Sequence, residues 1–320
     1  MPDLRAPALE AIRAAHDRIR GFVLRPPLLP LPAGPDGTRI FLKPENLQVI
    51  GSFKVRGSGN AMARLTPAEL AEGVYTASAG NMAQGVAWNA RRLGISCGVV
   101  VPEHAPAAKL EAIERLGGAI TKVSFDEWWR VMITHRREGM RGRFIHPVSD
   151  VDVIAGNGTI GIEIAEDLPE VDTVIVPFGG GGLSCGIASA LRALSPRTRV
   201  LAAEVETAAP LAASLAAGAP VAIDHRPSFV DGIGGKSVLE EMWPLASTLL
   251  AGSVVVSLEE TAAAIRLLAA RTRLVAEGAG ASSVAAALSG RAGGGTIVCV
   301  VSGGNIDPSK LATILKGEMP

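Results

Sequence analysis

Lys54 stands in the run Gly51-Ser52-Phe53-Lys54-Val55-Arg56-Gly57, just after Lys43-Pro44-Glu45-Asn46-Leu47-Gln48. The spacing predicts a helix over about 58–65. A lysine beside a helix start is disfavoured as a cation by the helix dipole. That field, with burial, lowers its pKa and favours the neutral amine that can form a Schiff base or accept a proton. On its own the run also fits a solvated loop lysine. A second cluster, Ser78-Ala79-Gly80-Asn81-Met82-Ala83-Gln84-Gly85, follows an apolar run. Its small residues let a ligand reach the backbone, Ser78 and Asn81 are candidate helix caps, and the N–H groups of the next helix suit a carboxylate. A third, Val176-Pro177-Phe178-Gly179-Gly180-Gly181-Gly182-Leu183-Ser184, places four glycines between an apolar run and a helical pattern. Such a turn is costly in chain entropy and can form a nest of N–H groups for a phosphate. The fourth, Val301-Ser302-Gly303-Gly304-Asn305, could turn a hydroxyl toward a heterocycle or merely cap a helix. Glu277 in Glu277-Gly278-Ala279-Gly280-Ala281 and the pair Asp231-Gly232 are acidic residues beside glycine. A competing reading of the glycine run is a dinucleotide site with Glu204 as its ribose contact, although the third glycine position falls on Ser184 or Cys185.

These clusters need elements to aim them. Short runs rich in Val and Ile recur at 39–43, 74–77, 98–101, 120–123, 144–146, 174–177, 200–203, 254–257 and 297–301. Several lack polar alternation, as parallel strands covered on both faces do. Amphipathic segments at 82–93, 106–116, 160–167 and 261–272 lie between them, and Leu9, Ile12 and Ile19 sit at helical spacing. The alternation predicts an α/β fold of two open, mostly parallel sheets flanked by helices. The expected division is 1–71 with 149–320 as a larger domain and 72–148 as a smaller inserted one, with a ligand in the cleft at the C-terminal strand ends.

The 320 residues carry 31 basic and 31 acidic side chains, 48% apolar and 4% aromatic residues. Zero formal charge and few aromatics argue against nucleic acid and anionic membrane as partners. Cys97, Cys185 and Cys299 are scattered without a C-x-x-C pair, which predicts neither disulfide nor zinc site and fits a reducing cytoplasm. The charged N-terminus has no apolar core of a secretory signal. The uncharged stretch between Asp172 and Arg192 is interrupted by Pro177 and the glycine run, so it is read as strand, loop and helix rather than a membrane span.

In combination and order, S-F-K-x-R-G, S-x-G-N-x-x-Q-G, I-A-G-x-G-T-I-G-x-E at 154–163, G-G-G-G-L, E-G-A-G-A and S-G-G-N closely resemble the threonine/serine dehydratase and serine racemase family. These are pyridoxal 5'-phosphate enzymes of the tryptophan-synthase-β type, fold type II. The resemblance runs from about Arg25 to Asp307. It implies that Lys54 carries the cofactor as a Schiff base, with Phe53 packed near the ring. It further implies that Asn81 bonds the ring hydroxyl and that Gly179, Gly180, Gly181, Gly182 and Leu183 cradle the phosphate. Gly232 and Glu277 would line the cofactor, and Ser302 would meet the pyridine nitrogen. Ser78, Ala79, Asn81 and Met82 would form the substrate side. The implied activity is loss of water and ammonia from a small β-hydroxy amino acid, with Lys54 as base and the product a 2-keto acid. A serine rather than an acid at the pyridine nitrogen gives a weaker electron sink, which favours β-elimination.

Three departures refine this expectation. Racemases of the family resemble S-S-G-N where this chain has Ala79, which carries no proton, so racemisation is not expected. Met82 replaces the family's usual His, making the substrate side less polar. The racemase-like metal site pairs a Glu with an Asp six residues on; Glu204 fits but Pro210 does not, so no metal site is expected. The chain ends at Pro320, and no isoleucine-responsive regulatory domain is expected. Trp128 and Trp129, within the presumptive specificity segment 125–143, are read as helix packing. A β-replacement synthase of the same fold, a nicotinamide-dependent oxidoreductase and a non-catalytic binding protein are the alternatives. The resemblance also implies a homodimer.

Overall fold

The computed structural model describes residues 4–320. Its ten strands are β1 (Leu29–Leu31), β2 (Thr38–Pro44), β3 (Val74–Ala77), β4 (Cys97–Pro102), β5 (Ala119–Val123), β6 (Arg143–Phe144), β7 (Thr173–Pro177), β8 (Arg199–Val205), β9 (Ser253–Val256) and β10 (Gly295–Val301). They form two sheets, ordered β1-β2-β10-β7-β8-β9 and β5-β4-β3-β6. All pairings are parallel except β1 with β2. The fold is thus the expected α/β arrangement of two mostly parallel sheets flanked by helices.

The continuous apolar runs are explained by burial on both faces. Along β10, Ile297, Cys299 and Val301 enter one core while Val298 and Val300 enter the core on the opposite face. In the smaller sheet Val99 and Val101 pack on one side of β4 and Val100 on the other. The uncharged stretch resolves into β7, the glycine turn and the helix Gly182–Leu194. No helix among the described residues is long and apolar enough to cross a membrane.

Three stacked helices place the site. The helix Lys54–Ala63 packs on Val151–Asp167, which packs on Gly182–Leu194. Glycines set the spacing: a Cβ at Gly156 would come 2.7 Å from the Arg56 carbonyl, and one at Gly161 would come 2.8 Å from that of Ile187. The motif 154–163 is therefore a packing device. Sequence periodicity predicted only the second half of its helix. The first half holds Gly156 and Gly158 among β-branched residues, and tertiary packing outweighs that weak propensity.

Candidate active site

The C-terminal ends of four strands meet in one cleft. β3 leads to Ser78–Met82, β6 to Pro147 and Val148, β7 to Gly179–Gly182, and β10 to Ser302. The cleft has a volume of about 410 Å³ and is also lined by Phe53, Lys54, Leu183, Gly232 and Glu277. That is within the range of small-molecule sites. Every residue singled out in the four motifs for ligand contact lies along it.

Lys54 opens its helix rather than preceding it. The chain reaches it through a short pairing of Ser52 with Gly303. Phe53 N donates to the Ser302 carbonyl at 3.0 Å and Gly304 N to that of Gly51 at 2.9 Å, so the first and fourth motifs are stitched by backbone. The Lys54 amine donates to the Pro147 carbonyl at 2.9 Å and lies 5.1 Å from the Phe53 ring centre. Burial pushes its pKa down to about 8, against a smaller upward pull from Glu277. No carboxylate pairs with it directly among the described residues, and near neutrality a far larger share of the amine is neutral than for an ordinary lysine.

Glu277 is buried, and burial pushes its carboxyl up to about 7, opposed by a hydrogen bond from Asn81. Asn81 Nδ2 donates to Glu277 Oε1 at 2.8 Å, and Asn305 Nδ2 donates to Asn81 Oδ1 at 2.7 Å. Neither Ser78 nor Asn81 caps the helix Asn81–Leu93, contrary to the sequence expectation. Gly80 occupies the cap position without a side-chain bond, and the Ser78 hydroxyl accepts from Gly80 N instead. The first turn thus keeps its N–H groups for an anion. The helix Gly182–Leu194 begins in the same way, on Gly181 with φ +93° and no side-chain cap.

The chain matches the family described as pyridoxal-phosphate dependent enzyme over residues 19–303. It belongs to this family. An L-threonine ammonia-lyase of Thermotoga maritima is 40% identical over 282 residues, covering 87% of this chain and 70% of that one. One from Geobacter sulfurreducens is 40% identical over 312 residues, covering 95% and 77%. Maize serine racemase superposes with a TM-score of 0.88 at 32% identity, covering 98% of both chains. Threonine deaminase isoform 2 of Solanum lycopersicum gives 0.87 at 33% identity, covering 96% and 91%.

The cleft fits the pyridoxal phosphate of this family. Glycine at 180 and 182 is required by the protein itself, because a Cβ would come 2.6 Å from the Val148 side chain or 2.7 Å from its carbonyl. At Gly179 the nearest protein atom to an added Cβ is 3.5 Å away, an ordinary contact. Internal packing does not demand that glycine, and the space left open at the helix start can take a phosphate. The lowered Lys54 amine supplies the matching nucleophile.

Other expectations change. Trp128 packs in the core beside β4 but also lines the cleft with Phe125, and its indole N–H is buried without a partner. Glu204 is neither a ribose contact nor a free metal ligand. Its two oxygens accept from Leu211 N and Ala212 N, both at 2.8 Å, and from Ser253 Oγ at 2.6 Å. Sequence reasoning missed His146, Pro147, Val148 and Lys109. The first three follow a strand end, the place where such folds bind ligands, and that signal was available. Lys109 closes the rim by an ion pair with Asp231 at 2.9 Å, which no sequence spacing reveals.

Proposed function

We propose that this enzyme removes water and ammonia from a small β-hydroxy amino acid, threonine or serine, to give a 2-keto acid. The observation that carries the reading is the Lys54 amine, lowered to about 8 and without a carboxylate partner among the described residues, in a cleft also lined by two helix starts without side-chain caps. The relatives named threonine ammonia-lyase support it.

When bound, pyridoxal phosphate supplies an electron sink for the bond broken at the substrate α-carbon. Lys54 would hold it covalently, and the free amine Nζ is the group that would take the α-proton. The Pro147 carbonyl orients that amine. Gly179, Gly180, Gly181 and Gly182, with Leu183 and the N–H groups beyond them, would hold the phosphate, and Phe53 would pack near the ring. Ser302 serves the pyridine nitrogen, and Gly232 and Glu277 line the remaining wall. The first turn at Ser78–Met82 receives the substrate carboxylate, with Asn81 held by Glu277 and Asn305. The resemblance to racemases raises racemisation as a second reading. Ala79 lines the cleft where a second proton carrier would stand, and its methyl group moves no proton. The reading extends to a smaller domain at 72–148 and a cytoplasmic homodimer. Three buried, unpaired cysteines agree with a reducing compartment.

Purified protein should be yellow, and borohydride should fix the cofactor on the peptide holding Lys54. Keto acid should be released from threonine and serine, with recovered serine keeping its configuration. A colourless protein unable to take up pyridoxal phosphate would overturn the reading, as would substitution of thiol for hydroxyl without keto acid release.

A further inference from the structure

The segment from β6 to the helix Val151–Asp167 passes beneath the cleft. Within it His146 is only 1% exposed. Its Nδ1 faces Val148 N at 3.1 Å, Ser149 N at 2.7 Å and Ser149 Oγ at 3.0 Å. Its Nε2 lies 3.1 Å from the Met132 carbonyl. A ring nitrogen facing N–H donors must accept, and one facing a carbonyl must carry the proton. These contacts assign the neutral tautomer with hydrogen on Nε2. Although ligand atoms of His135, His146 and Glu241 cluster within 4.8 Å, both nitrogens of His146 are already committed and neither is available to a metal.

The turn held by His146 touches both halves of the site. The Pro147 carbonyl accepts from Lys54 Nζ at 2.9 Å. Val148 abuts Gly180 and Gly182 so closely that neither position has room for a Cβ. We infer that His146 is a positioning residue: by accepting the Val148 and Ser149 N–H groups at Nδ1, it holds the turn that fixes the Lys54 amine and the glycine loop together. This rests on the reading of Lys54 and that loop as the cofactor's anchors.

The groups around the ring keep it in the accepting form. His135 stacks on it with centroids 4.2 Å apart and lies 3.8 Å from Glu241, and Lys54 adds a repulsive positive charge. Burial, helped by these two neighbours, pushes His146 down to about 3. Protonation would require Nδ1 to donate toward two backbone N–H groups, so the ring keeps its accepting form near neutral pH.

His146→Leu and His146→Asn test the assignment. Leucine removes the acceptor, whereas the asparagine side-chain oxygen can replace Nδ1. Three quantities are measured: the pyridoxal phosphate Kd by spectral titration, the pH profile of the visible band, and kcat separately from KM. His146→Leu should weaken cofactor binding about tenfold or more, lower kcat by a similar factor with KM little changed, and displace the pH profile. His146→Asn should recover Kd and kcat to within about threefold of the parent. Parent-like cofactor binding in His146→Leu overturns the inference, as does equal damage in both variants. If His146→Leu does not fold, His146→Asn decides alone: a parent-like Kd and pH profile support the inference and their loss sinks it. Cofactor affinity is read without substrate, so a parent enzyme that binds pyridoxal phosphate but releases no keto acid defeats the proposed activity, not this inference.

Discussion

Lys43 and Lys54 lie close in sequence, on either side of the same turn, and meet opposite surroundings. Lys43 is fully buried, with Nζ 2.7 Å from Glu163 Oε2 and 2.6 Å from the Pro26 carbonyl. Glu163 also accepts from Arg56 at 2.6 Å, and Arg56 in turn binds Glu45 at 2.8 Å. Two cations and two carboxylates thus balance out of contact with water. Among the described residues Lys54 has one carbonyl partner and no ion-paired carboxylate, and burial lowers its pKa to about 8. A buried lysine with its carboxylate is a strut; one without it is a base. The same family motif supplies both, since Arg56 belongs to the network and Lys54 to the cleft.

The contrast predicts opposite consequences for two substitutions. Lys54→Ala should lower keto acid release by about 10³-fold or more while the cofactor-free protein stays folded and at least as stable as the parent below pH 8, since the cost of the buried charge is gone. A variant that unfolds instead would make Lys54 a strut and break the comparison. Glu163→Gln should do the reverse. It leaves Arg56 with Glu45 and Lys43 with Asp167 at 4.0 Å as its nearest carboxylate, and loss of one partner from a buried ionic cluster costs about 3–5 kcal/mol. Urea unfolding reads that loss, and the fraction still folded should keep its turnover per active site. A cost below about 1 kcal/mol would show that the network is not what fixes the Lys54 helix.

The sequence analysis separated these two roles only partly. Lys54, the glycine turn and Ser302 were legible because each joins a chemically distinctive residue to a strand end. Lys43, Glu45, Arg56 and Glu163 were visible as motif members, but the contacts of Arg56 and Lys43 with Glu163 span sequence separations of 107 and 120 and depend on how two helices stack. The parallel strands were legible from their Val and Ile runs. β1 was not, because Pro30 sits in a short antiparallel edge strand without alternation. His146 was read merely as the end of a strand. Its role lies in the direction of two backbone N–H groups, and residue spacing carries no such information.

A pH titration sharpens the comparison at the cleft itself. In the cofactor-free protein, uptake of pyridoxal phosphate needs the neutral Lys54 amine. Its rate should therefore rise about tenfold per unit below pH 8 and level off above it, whereas an ordinary lysine at about 10.4 would keep rising. The same shift sets a sign for stability. The folded amine has a lower pKa than the unfolded one, so protonation favours unfolding. Stability of the cofactor-free protein should rise with pH between about 8 and 10.5 through this group, with its full cost present below 8. Stopped-flow uptake across this range, repeated in Glu277→Gln, provides the check. Removing the carboxylate that pulls the amine upward should move the midpoint lower.

The smallest effect distinguishes glycines that serve the protein from one that serves a ligand. Gly181 adopts φ +93°, where a side chain is strained, so Gly181→Ala should cost about 1–3 kcal/mol of stability even without cofactor. Gly179 has no such φ, and an added Cβ meets protein only at 3.5 Å. Gly179→Ala should leave the cofactor-free protein within about 0.5 kcal/mol of the parent. Its methyl group would stand instead at the wall where the phosphate is to be held, and the effect should be confined to cofactor affinity. Thermal unfolding with and without pyridoxal phosphate separates the two terms. In the parent, saturating cofactor raises the midpoint by mass action; in Gly179→Ala that increment should shrink while the cofactor-free midpoint stays put. An unchanged increment would mean that Gly179 takes no part in holding the phosphate, and would move the anchor toward Gly180–Gly182.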